Sequence, residues 1–119
     1  MPHPNACAAA VLALGLPLAA QGTGLAPDAA APAAPRQQQL VRMVRQDCGS
    51  CHGMRLTGGL GPALTREALA DKPLVFLAST IFHGRPGTPM PGWRAMLTEA
   101  EADWIAQRLV AGFPEEAPR

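Results

Sequence analysis

Residues 46–64 read QDCGSCHGMRLTGGLGPAL and place Cys48, Cys51 and His52 in a C-x-x-C-H array. That spacing is the attachment sequence for a c-type haem. Two thiols three residues apart can add to the two vinyl groups on one edge of a porphyrin. The histidine that follows directly then reaches beneath the ring to the iron. Three other chemistries use paired cysteines. A structural zinc site takes four Cys or His ligands. Only Cys48, Cys51, His52 and His83 lie beyond residue 26, and the neighbours Cys51 and His52 are badly placed to share one ion. A thioredoxin-like pair belongs to a βαβ setting, and no strand pattern surrounds this one. A plain disulfide leaves His52 without a role. The expected cofactor is therefore one haem c, covalently held through Cys48 and Cys51, with His52 on the iron.

The opposite face of that iron needs a ligand, and Met43, Met54, Met90, Met96 and His83 are the candidates. Met54 follows His52 too closely to cross to the other face. Met43 lies on an incoming helix and Met96 just before the last one, and both read as packing residues. His83 ends a helical stretch, where it suits the negative end of the helix dipole. Met90 lies between Pro89 and Pro91, 38 residues after His52. Its flanking prolines fix φ and remove donors, so the loop can hold a thioether with little freedom. Methionine opposite histidine raises the reduction potential. A ligating histidine donates its other ring N–H to a carbonyl or carboxylate, and Pro62 is placed to supply that carbonyl. Trp93 should pack near the haem edge, where the haem-contact and ordinary core readings coincide. Arg55, Arg85 and Arg94 read equally as propionate partners or as solvated charges.

These groups need helices to position them. An amphipathic pattern over 36–47 puts Leu40, Val41, Val44 and Met43 on one face, with Gln38, Arg42 and Arg45 on the other. It runs into the cysteine array. Five glycines between Gly49 and Gly61 then predict a loop over 55–62. Thr65 can cap a short turn containing Glu67 and Leu69. Pro73 suits the first turn of a second helix, with Leu74, Leu77, Ala78 and Ile81 on one face and Gly84 as its C-terminal stop. The stretch RPGTPMPG over 85–92 is irregular. Thr98 and Glu101 form a capping-box pattern. The helix they start carries Ala102, Ile105 and Leu109 on one face and stops near Gly112, with Pro114 just beyond. Trp104, on this helix, is expected to pack against the first. The fold class is all-α: three main helices with Gly/Pro-rich loops around one haem.

The 119-residue chain carries ten Lys/Arg and nine Asp/Glu, all after residue 26, for a net charge of +1. No basic block points to nucleic acid, and the balance argues against strong long-range steering. Residues 6–18 form an apolar run of signal-peptide length, too short to span a bilayer. The N-terminal region lacks Lys and Arg, a departure from the usual pattern. Cleavage after Ala20 or Ala26 would remove Cys7, which does not follow the apolar run as a lipoprotein cysteine would. The expected organisation is a signal peptide over 1–26, a Pro/Ala linker over 27–35 and a haem domain over 36–119. The exported chain would have no stable membrane anchor. At roughly 90 residues it is short for a self-sufficient core, so a bound group should staple it.

With these features in order, the chain resembles a class I cytochrome c over residues 40–113. The resemblance implies the mono-haem cytochrome fold, with the first and last helices crossing and one haem edge partly exposed. The blocks CGSCHGMRLTGGLGPALT, GRPGTPMPGW and EADWIAQRLVAG look like the NirC-type cytochromes. These are small periplasmic proteins associated with the nitrite reductase that carries haem c and haem d1. The resemblance carries haem attachment onto Cys48 and Cys51 and the axial ligands onto His52 and Met90. It implies a periplasmic monomer that passes single electrons to transient redox partners, nitrite reductase foremost. The alternative it allows is an accessory role in making or installing haem d1. A ligand-binding or peroxidase-like cytochrome would need Met90 to leave the iron readily.

Overall fold

A computed structural model describes residues 31–115, so the expected leader and residues 27–30 of the expected linker lie outside the described residues. Among the described residues five α-helices follow one another: α1 Ala34–Met43, α2 Gly49–His52, α3 Arg66–Leu69, α4 Leu74–His83 and α5 Glu99–Ala111. No strand occurs among the described residues. No described helix is long and apolar enough to cross a membrane.

Helix α1 starts two residues earlier than the expected 36, because Pro35 is tolerated in its first turn, where an N–H would be unpaired in any case. It buries Leu40 and Val41. A π-helical turn over Val44–Cys48 joins it to α2. Helix, π turn and α2 therefore form one continuous rod that carries the cysteine array on its last turns.

The π turn overturns one expectation. Arg45, assigned above to the solvent face, is only 8% exposed. Wider winding shifts the phase of every later side chain relative to a 3.6-residue helix. The displaced guanidinium turns to the far end of the chain. Its Nε donates to Pro114 O at 3.1 Å, and Nη2 donates to Phe113 O and Pro114 O, both at 2.9 Å. The ring of Phe113 lies 5.6 Å from its Cζ. Arg66 donates to Ala111 O. Two arginines thus satisfy carbonyls at and just beyond the C-terminal end of α5, where positive charge is favoured. Replacing Arg45 with Ala should destabilise the protein by about 2 kcal/mol, the range for charge-assisted hydrogen bonds. Arg45→Lys should recover little of this, since a point charge cannot fork between two carbonyls. Urea midpoints of the haem-loaded variants measure both.

The apolar core is one cluster. Leu40, Val44 and Ile105 are fully buried, with Leu56, Trp104 and Leu109 close behind. Helix α4 contributes Leu77 and Ala78, but Leu74 is 45% exposed, contrary to its expected place on the buried face. It is the first residue of the helix, beyond the reach of the core. Pro73 stands at the N-cap position rather than inside the first turn. Met96, expected as a packing residue, is 53% exposed.

The capping box of α5 forms as expected. Thr98 Oγ1 accepts from Glu101 N at 3.2 Å, and Thr98 N donates to Glu101 Oε2 at 2.9 Å. The same carboxylate takes the Arg36 Nε at 2.6 Å, and Arg36 Nη2 also donates to Met96 O. Helices α1 and α5 are locked together near their N-terminal ends. The Arg36 hydrogen bond, with help from the Thr98 amide and against the opposing effect of burial, holds the Glu101 carboxyl below its usual range. A depressed carboxylate pKa stabilises the fold at pH values above the unfolded-state pKa. That contribution is lost as the pH falls through the folded value. Arg36 is more than a third exposed, so screening limits the pair to about 1 kcal/mol. Glu101→Gln should therefore lower the urea midpoint at neutral pH, and the difference from wild type should shrink in acid.

Candidate haem-attachment site

The rod presents its last residues in sequence order. Cys48 is half-buried, Cys51 exposed and His52 only 7% exposed. Both cysteines are free thiols, so the disulfide reading does not hold here. Burial, reinforced by the Asp47 charge, pushes the Cys48 thiol up to about 11. A redox-active Cys-x-x-Cys depends on a lowered thiol pKa, and Cys48 has the reverse. Among the described residues no three His, Cys, Asp or Glu side chains converge to hold a metal ion.

The loop after the rod folds back and caps it. Gly61 N donates to Cys51 O and Gly58 N to His52 O, both at 2.8 Å. These bonds satisfy carbonyls that a helix end leaves open. They also bring Pro62 to the imidazole, where its carbonyl lies 2.7 Å from His52 Nδ1. A carbonyl can only accept, so Nδ1 carries the hydrogen, and Nε2 is the ring nitrogen left for a ligand bond. The ring is oriented for one ligand bond. Gly61 permits the close approach: a Cβ there would stand 2.7 Å from His52 Cε1 and 2.8 Å from Nδ1. Leu56 takes φ 61 at the bend of this loop and is buried. Nothing in its residue type announces that conformation.

Met90 and Trp93 lie on the segment between α4 and α5. Met90 is half-buried, and Trp93 is half-buried against the core cluster. His83, the non-methionine candidate, ends α4 and is exposed. Met54 is 61% exposed. Among the described residues no hydrogen bond joins loop 85–92 to the Cys48–His52 turn. The two halves of the expected site are positioned independently. Arg55, Arg85 and Arg94 are all exposed.

The residues fit a covalent haem c. Two unpaired thiols share one turn, and an oriented imidazole follows them. The apolar side chains Leu60, Val75 and Phe76 are left exposed at 94%, 77% and 47%. An all-α chain with this attachment turn is a c-type cytochrome of class I, a carrier of single electrons rather than an enzyme. Comparison with known proteins agrees. The family model described as "Cytochrome C oxidase, cbb3-type, subunit III" matches residues 35–107. A cytochrome c55X from Stutzerimonas stutzeri is 61% identical over 87 residues, 73% of this chain and 77% of the relative. The solved structure of a c-type cytochrome NirC superposes with a TM-score of 0.68 at 56% identity, covering 73% of this chain and all of that one. A dihydro-haem d1 dehydrogenase from Pseudomonas aeruginosa is 38% identical over 74 residues, which are 62% of this chain but 15% of the dehydrogenase. The chain belongs to the cytochrome c family, among its NirC-type, c55X members. It binds haem c through Cys48 and Cys51.

Proposed function

We propose that this cytochrome works in the periplasm of a denitrifying cell and delivers single electrons to the nitrite reductase that carries haem c and haem d1. His52 and Met90 are the axial ligands, Pro62 orients His52, and Trp93 packs at the haem edge. The leader over 1–26 supports export. The observation that carries the reading is the 2.7 Å contact between His52 Nδ1 and Pro62 O. It presets the ring, so the ligand geometry need not change between oxidation states. A site that changes little on electron transfer suits a carrier. Docking would be transient and small, as weak redox encounters are.

A second reading is favoured by one observation, the stretch shared with a dihydro-haem d1 dehydrogenase. On that reading the protein assists the making or installing of haem d1. Deleting the chain from a denitrifying host separates the two. A carrier's absence leaves purified nitrite reductase with its full haem d1 content, and the reduced cytochrome reduces the assembled enzyme rapidly in vitro. Loss of haem d1 with haem c retained, together with failure to reduce assembled enzyme, would replace the carrier reading with the accessory one.

A further inference from the structure

The loop that carries Met90 is tied off at its base. Trp93 N donates to Ile81 O at 3.1 Å and Arg94 N to Phe82 O at 3.2 Å, so the chain leaving the loop caps the helix that enters it. Arg85 N donates to Met90 O at 3.1 Å. At this level Gly84 and Gly92 cross. A Cβ on Gly84 would stand 2.5 Å from Gly92 N, 2.6 Å from Pro91 C and 2.8 Å from Met90 O. A Cβ on Gly92 would stand 2.7 Å from both His83 C and His83 O. Every one of these neighbours is backbone, so no side-chain rotation could relieve the contact. Gly84 also has φ 75. Gly87, at the loop tip, has a similar φ of 77 but nothing within 4 Å of a built Cβ.

We propose that Gly84 and Gly92 are positioning residues: their backbone crossing closes the neck of loop 85–92 and thereby holds the Met90 thioether at the distal face of the haem. This rests on Met90 being the distal ligand. Inside the loop the bonds are local. Thr88 N and Oγ1 donate to Arg85 O, and Met90 N donates to Thr88 Oγ1. Pro86, Pro89 and Pro91 have no N–H to offer. No described hydrogen bond ties the loop to the attachment turn. Among the described hydrogen bonds, those at the neck are therefore the ones that anchor the loop to the rest of the fold. With the neck closed, the short stretch from Gly84 to Gly92 has no slack through which the sulfur can withdraw. A β-carbon at either glycine wedges the two chain segments apart and releases that slack.

The test uses haem-loaded protein and imidazole as a competing ligand for ferric iron. Apparent imidazole affinity scales with the fraction of molecules whose distal position is open. Gly84→Ala and Gly92→Ala should raise it by about tenfold or more, while Gly87→Ala should stay within about twofold of wild type. The ferric thioether charge-transfer band should weaken in the first two variants and persist in the third. Folded, haem-loaded Gly84→Ala and Gly92→Ala proteins that behave like Gly87→Ala would overturn the proposal. Met90→Ala is the separate control: unchanged band and imidazole affinity there would remove the ligand assignment itself. Should neither neck variant accumulate, amide hydrogen exchange of wild-type protein decides. The Trp93 and Arg94 amides should exchange through the same opening that admits imidazole. Protection of these amides at full global stability, with imidazole entering through a lesser opening, would refute the neck's role.

Discussion

Protein carrying Cys48→Ala together with Cys51→Ala should fail to reach a stable fold. The described core is one cluster around Leu40, Val44 and Ile105. The whole sequence has three Phe, two Trp and no Tyr to fill it. Large apolar side chains stay exposed outside that cluster, with Leu60 and Val75 the most exposed. A porphyrin that buries its apolar surface on folding contributes on the order of 10 kcal/mol at the usual area coefficient. That equals the entire stability of a typical small domain. A group that binds only the native state adds its binding free energy to stability. Far-ultraviolet circular dichroism of the double variant should show little helix and no cooperative thermal transition. Native-like helix content with a sharp transition would count against this account.

Met90→Ala should abolish the weak red charge-transfer band of thioether-ligated ferric haem. It should also lower the reduction potential by on the order of 0.1 V, because the ligand that favours ferrous iron is gone. Met54→Ala and Met96→Ala should keep both properties. Those two methionines are more than half exposed, whereas Met90 is half-buried in a loop whose carbonyl and amide are both engaged. Redox titration and the ferric spectrum measure the effect. Loss of the band in Met96→Ala with retention in Met90→Ala would reassign the ligand.

Much of this architecture is legible in the residues because the devices that build it are local. Thr98 and Glu101 meet in their capping box, Thr65 caps α3, and Gly84 and Gly112 stop their helices at the expected places. The pairing of Pro62 with His52 is equally local, since the loop between them spans ten residues. Two features escape for physical reasons. Arg45 sits in a π turn, and a 3.6-residue period assigns it to the wrong face once that period is interrupted. Its partners lie nearly seventy residues away, where no spacing argument reaches. The neck at Gly84 and Gly92 is a crossing of two backbones. The prolines around Met90 suggest a stiff loop but say nothing of where its ends meet. Leu74 shows a smaller failure: a helical pattern does not reveal how far the core extends along the helix.

The Arg45 clamp also orders events in time. A chain is made from its N-terminus, so the rod bearing Cys48, Cys51 and His52 exists well before Phe113 and Pro114. The Arg36–Glu101 lock has a similar separation, 65 residues. Both long-range ties to the attachment rod therefore wait for the last helix to be complete. Contacts so distant in sequence form late, because closing a long loop must precede the reward of the contact. Until then the attachment rod is held by its local contacts alone. The segment at Phe113 and Pro114 is therefore the latch on a rod that the first helix begins.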